Sequence, residues 1–62
     1  MNGEERRAKL KERLGAAPVS ATALAKELGV SRQVIVQDIA LLRAEGERIL
    51  STNRGYVAEG QG

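Results

Sequence analysis

The sequence predicts a mainly α domain, three helices followed by one small β-hairpin, and three observations carry that prediction. Three segments before Gly46 place apolar residues at helical spacing between cap and stop residues. From Ile49 the texture changes to two short runs, Ile49-Leu50-Ser51-Thr52 and Tyr56-Val57-Ala58, around the turn residues Asn53-Arg54-Gly55. A chain of 62 residues and 6.6 kDa has room for a single core and no second domain. The domain is expected over residues 4–58, with residues 59–62 as a disordered tail.

Helix one is expected from Glu4 to Leu14, a stretch without Gly or Pro that carries its acids first and its bases later, as the helix dipole favours. Its apolar face is thin. Ala8, Leu10 and Leu14 are expected to do most of the packing, with the stems of Arg7 and Lys11 at the margins and Gly15 as the stop. Pro18 disfavours helix at Ala17, so residues 16–19 run extended until Ser20 caps helix two, Ala21 to Leu28. Leu24, Ala25 and Leu28 share a side of that helix, and Gly29 supplies the left-handed residue that ends it.

Ser31 caps helix three. At 100° per residue Ile35, Ile39 and Leu42 cluster within about 60° and form its buried stripe. Gln33, Gln37 and Ala40 point the opposite way, with Val36 on one shoulder and Val34 and Leu41 on the other, and Gly46 ends the helix. The outward face is therefore amide and small apolar groups. Asp38 lies at the edge of the buried stripe and reads as a structural acid, paired with Lys26 or an arginine. Strand alternation puts Tyr56 with Ile49 and Ala58 as a core plug beneath the hairpin, and Arg43 and Arg48 read as surface charges.

Composition excludes several kinds of chemistry. Without cysteine there is no disulfide framework, thiolate metal site or cysteine nucleophile, and without histidine the usual general base and the commonest metal ligand are missing. No enzymatic activity, metal or cofactor is expected. No apolar run exceeds four residues, against the roughly 20 a membrane span requires, and Met1 to Arg7 has no leader-like stretch, so the chain reads as cytoplasmic with no membrane partner. A net charge of +2 and a pI near 9.5 are mildly basic, with the cations spread along the chain. A nucleic-acid partner would require the fold to focus that charge.

The segment Leu24-Ala25-Lys26-Glu27-Leu28-Gly29-Val30-Ser31-Arg32-Gln33 joins two amphipathic helices through a short glycine turn, the pattern of a helix-turn-helix. Val30 fits because the turn must drop one apolar side chain into the helix junction, and Ala25 because close helix approach needs a small residue. Continued through Val34-Ile35-Val36-Gln37-Asp38-Ile39-Ala40-Leu41-Leu42-Arg43 and resumed at Ile49 and Arg54-Gly55-Tyr56-Val57, the sequence resembles the winged helix-turn-helix of bacterial repressors. It is most similar to the DNA-binding domain of the niacin-biosynthesis repressor family. The resemblance covers most of Arg6 to Ala58 and implies a three-helix winged helix-turn-helix that binds double-stranded DNA as a transcriptional regulator, a repressor by likeness. Those repressors carry a histidine-bearing effector domain as well, and an effector ligand is not expected in this chain. The residues fit equally a domain of a longer regulator and a free-standing winged helix.

On that reading helix three lies in the major groove, where Gln33 and Gln37, one turn apart, can each bond adenine through the paired donor and acceptor of an amide. Val36 can meet a thymine methyl, which suggests a preference for A·T-containing steps. Arg32, in the first turn, forks onto a guanine or, more in keeping with most protein–DNA bonds, clamps a phosphate. Ser20, Thr22 and Ser31 start helices, where hydroxyls and free amides hold phosphates. Arg54 at the hairpin tip, beside Asn53 and Thr52, reaches the minor groove or backbone, as wing arginines do in similar proteins.

Plainer readings stand beside these. Ser20 and Ser31 serve as helix caps whatever else they touch, Gln33 and Gln37 can form a simple solvated face, and Val36 can pack against a partner helix. Two other functions remain open: a protein-interaction winged helix presenting Val34, Val36 and Leu41, and a regulatory domain of a larger enzyme such as a biotin ligase. A domain this small offers about four to six phosphate contacts, so a homodimer on a two-fold operator is expected on DNA.

Overall fold

In a computed structural model, which describes residues 2–59, the chain folds as three helices followed by a two-stranded antiparallel hairpin. Helix α1 spans Gly3–Arg13 and begins at Asn2, whose side-chain oxygen accepts the Glu5 N–H at 2.8 Å. It ends at Leu14, which turns extended while its N–H still donates to the Leu10 carbonyl at 2.9 Å. Gly15, expected as the stop, takes no left-handed conformation. The backbone leaves the helix one residue sooner, and the Gly15 carbonyl accepts the Ala58 N–H at 3.0 Å, tying this loop to the far end of the hairpin.

Helices α2 (Ala21–Leu28) and α3 (Arg32–Ala44) have the expected limits, because their capping chemistry is local. Ser20 and Ser31 accept the N–H groups of Ala23 and Val34 at 3.1 and 3.3 Å. Gly29 is left-handed at φ 69°, and the Val30 N–H reaches back to the Ala25 carbonyl at 3.0 Å. At the end of α3, Gly46 (φ 102°) lets its own N–H and that of Glu47 bond the Arg43 and Leu42 carbonyls, both at 3.0 Å. This paired arrangement satisfies carbonyls that a helix end otherwise leaves without partners.

Strands β1 (Ile49–Thr52) and β2 (Gly55–Ala58) pair in register, with Thr52 opposite Gly55 and Ile49 opposite Ala58. The turn is thus Asn53-Arg54 alone, and Gly55, expected in the turn, opens the second strand. It does so at φ 135°, a conformation open to glycine, and the reason is a close approach. A Cβ at this position would lie 2.4 Å from the Val19 carbonyl carbon and 2.6 Å from the Ser20 nitrogen. Beside it Val19 and Tyr56 exchange backbone hydrogen bonds of 3.0 and 2.8 Å, so the segment before α2, expected to run extended over residues 16–19 but bent at residues 15–17, forms a one-residue bridge to the hairpin at Val19. The expected loose tail lies, apart from the exposed Glu59, outside the described residues.

The core comprises Leu10 and Leu14 from α1, Ala21, Leu24 and Ala25 from α2, Ile35, Ile39 and Leu42 from α3, and Ile49 from β1. Val30 and Tyr56 are half-buried against it, as the turn and the plug require, while Leu28 is only half-buried as well. Ala8 is exposed, contrary to expectation. At 100° per residue it lies about 160° from Leu10, whereas Arg6 and Arg7 lie within about 60° of it, so the arginines share the core-facing side of α1.

That placement answers what Asp38 does. Asp38 is buried, 2% exposed, and both its oxygens are engaged by Arg6, the second by Nη2 at 3.1 Å, with Arg7 Nη1 at 3.7 Å. The partner is an arginine of α1, and Lys26 takes no part. The Asp38 hydrogen bond raises the Arg6 guanidinium above its ordinary value, with burial opposing and Coulomb attraction adding. A raised cationic group stabilises the fold below its unfolded value and loses that effect only as pH climbs through the raised one, so the Arg6 guanidinium keeps its charge throughout the neutral range. No buried side-chain polar atom among the described residues lacks a partner. The architecture is that of a three-helix winged helix-turn-helix.

Candidate nucleic-acid interface

The buried stripe of α3 fixes what the helix turns outward. With Ile35, Ile39 and Leu42 inward and Asp38 held by α1, the exposed side carries Gln33, Val36, Gln37 and Ala40, spaced i, i+3, i+4, i+7. These form one continuous stripe with no charged member. Val36 is 39% exposed and Leu41, beside Gln37 and Ala40, 48% exposed, which is unusual surface for large apolar groups in so small a core.

A second feature lies where the hairpin meets the helices. Ser20, Ala21 and Thr22 at the start of α2, Arg32 at the start of α3, and Ser51 to Tyr56 of the hairpin line an open groove of about 270 Å³. Its lining includes two arginines, six hydroxyl-bearing or amide residues (Ser20, Thr22, Ser51, Thr52, Asn53 and Tyr56), and no carboxylate. The Thr52 hydroxyl shapes the turn, donating to the Gly55 carbonyl at 2.7 Å and accepting the Arg54 N–H at 3.2 Å.

Charge is distributed to match. The acids Asp38, Glu47 and Glu27 are paired with α1 bases: Arg6, Lys11 at 3.2 Å, and Arg13 at 2.8 Å. The side chains of Arg32 and Arg54 form no ion pair or hydrogen bond among the described residues. Self-neutralisation on the α1 side thus leaves two unpaired cations facing the groove, and a chain of net charge +2 presents a locally positive site.

Of the residues singled out from the sequence, Ser20, Thr22, Arg32, Asn53 and Arg54 come together in the groove, and Gln33, Val36 and Gln37 share the α3 stripe. Ser31 is an exposed cap and does not line the groove. The sequence places Thr52 beside Arg54 without a role of its own, and Ser51 and Tyr56 are not expected from it as lining residues. A threonine two places before the turn arginine was a usable signal for Thr52, since its hydroxyl can bond the turn backbone. Arg43, read as a surface charge, donates from Nε to the Ile49 carbonyl at 2.9 Å and ties α3 to β1.

Among the described residues no group of three or more His, Cys, Asp or Glu side chains could hold a metal ion, and no helix is long and apolar enough to cross a membrane.

Comparison with known proteins agrees with this geometry. Over 43 residues, 69% of its length, the chain is 65% identical to a protein of Thermotoga maritima named "Probable transcription repressor NiaR", of which the match covers 25%. It is 55% identical over 40 residues to "Transcription repressor NadR" of Bacillus subtilis, a match covering 64% of the chain and 22% of that repressor. The chain therefore spans about a quarter of the length of these curated relatives. The sequence pattern of the HTH domain family matches residues 6–57, from the arginine that holds Asp38 to the second strand of the hairpin, and the chain belongs to that family.

Proposed function

We propose that the chain binds double-stranded DNA in a sequence-specific manner and serves transcriptional regulation, as a repressor that occludes a promoter and performs no catalysis. The observation that carries this reading is the pairing of an uncharged exposed stripe on α3 with two unpaired arginines at its margin and the hairpin tip. Base edges are read by amides and apolar groups, and phosphates are held by cations. Repression is supported by the names of the two relatives, and membership of the HTH domain family supports α3 as the groove-bound helix. Gln33 and Gln37 then face base edges, Val36 a thymine methyl, and Ser20, Thr22, Ser31, Arg32, Asn53 and Arg54 the backbone, with residues 4–58 as the binding domain. A cytoplasmic homodimer on a two-fold operator completes the reading, because one such domain makes too few contacts for useful affinity alone.

Selection from a pool of randomised duplexes tests it. One motif should be enriched, arranged as a two-fold repeat with an A·T pair where Gln37 reads; recovery of unrelated sequences would contradict sequence-specific binding. On the enriched duplex, Gln37→Ala should alter preference at one base position by about 1–3 kcal/mol and leave the others unchanged. Arg54→Ala should weaken binding to all duplexes alike and flatten the dependence of log Kd on log salt by about 0.9, the value of one phosphate contact.

A further inference from the structure

The sequence assigns Arg32 and Arg54 to separate duties, one on helix three and one on the hairpin, and a base or a phosphate suits either. In the fold they line the same groove, together with Ser20, Thr22, Thr52 and Asn53. Both guanidinium groups lack a partner among the described residues, and no carboxylate lies in the groove to neutralise them. Two unpaired cations lining one groove make it a favourable place for an anion. The convergence is also built in. Gly55 admits the Val19 backbone where any Cβ would collide at 2.4 Å, and the Val19–Tyr56 hydrogen bonds fix the hairpin against the segment leading into α2. The hairpin tip is therefore held in place relative to the start of α2.

We infer that this groove is a single-phosphate clamp, in which Arg32 and Arg54 hold the same phosphodiester of the DNA backbone while the hydroxyl of Thr22 supplies a further donor. The inference rests on the DNA-binding reading above and sharpens it. Arg32 is a backbone residue and not a guanine reader, and the hairpin and α3 are registered on the duplex by one shared linkage. An aliphatic partner has no counterpart in a space lined by two cations and hydroxyl groups. A phosphodiester supplies one negative charge and two free oxygens, one for each guanidinium.

The test uses the 62-residue chain and a duplex selected for binding, in which each linkage of one half-site is replaced in turn by an uncharged methylphosphonate. One linkage should cost the unaltered chain about tenfold in affinity, the scale of a hydrogen bond to a charged group. At that same linkage the substitution should cost Arg32→Ala and Arg54→Ala less than about twofold each, since the charge it removes is no longer held by a pair. Lys9→Ala, altering an exposed α1 cation outside the groove, should retain the full tenfold penalty. If the two variants become insensitive at two different linkages, or if Arg32→Ala instead relaxes preference for one base pair, the shared clamp is wrong while DNA binding stands. Failure to select any duplex would remove the DNA reading itself.

Discussion

Gly55→Ala is expected to destabilise the domain by at least about 2 kcal/mol and to detach the hairpin from the helices. At φ 135° an L-residue carries strain of about 1–3 kcal/mol, and the added carbon would meet three backbone atoms of Val19 and Ser20 within 2.6 Å. Backbone cannot rotate aside as a side chain does, so relief comes from moving the hairpin. That breaks the Val19–Tyr56 hydrogen bonds and carries Arg54 away from Arg32. Chemical denaturation should show the stability loss, and DNA binding should weaken even where the protein remains folded. Gly15→Ala is the matched control: its Cβ meets nothing within 4 Å and it takes no positive φ. There the restricted unfolded chain should leave stability unchanged or raise it by up to about 1 kcal/mol. Equal effects at the two glycines would show that the close approach is not what fixes the hairpin.

Leu24→Ala should have the larger effect on folding. Leu24 is wholly buried, 0% exposed, on the helix that packs most extensively against α3. Leu→Ala at such sites costs about 3–5 kcal/mol from lost transfer energy and the residual cavity. Domains of this length have about 3–9 kcal/mol in total. The variant should therefore be substantially unfolded near 25 °C, with loss of helical circular dichroism and no cooperative transition, or with a midpoint far below that of the parent. Leu41→Ala, at a side chain 48% exposed, should change stability by less than about 1 kcal/mol and serves as the contrast. A cooperative Leu24→Ala variant of parental stability would mean that the core is not organised around α2 and α3.

What the sequence disclosed and what it hid divide along the range of the interactions. The limits of α2 and α3, their serine caps and the glycines at positions 29 and 46 were legible, because each depends on bonds spanning three to five residues. The uncharged stripe on α3 was legible for the same reason: the period of Ile35, Ile39 and Leu42 determines which residues face away. In α1 composition and period point to different residues. Ala8 is the small apolar residue, yet Arg6 and Arg7 share the side of Leu10, and Arg6 pairs with Asp38 across the fold. Asp38 itself gave a usable signal, since an acid at the edge of a buried stripe requires a cation; only the packing of α1 on α3 decides which one. Gly55 and the groove could not be read locally. Both arise from the approach of the hairpin to residues 19 and 20, far away in sequence, and turn composition alone placed Gly55 inside the turn when it begins the strand.

The most direct measurement of the central claim is fluorescence anisotropy of a labelled random duplex titrated with the chain at about 50 and about 200 mM salt, the interval in which released counterions show most clearly. With about four to six phosphates held, the affinity should fall about 10²–10³-fold between the two conditions. Binding that is absent at the lower salt, or whose strength is the same at both, would contradict DNA recognition by this face and leave the α3 stripe as a surface for a protein partner.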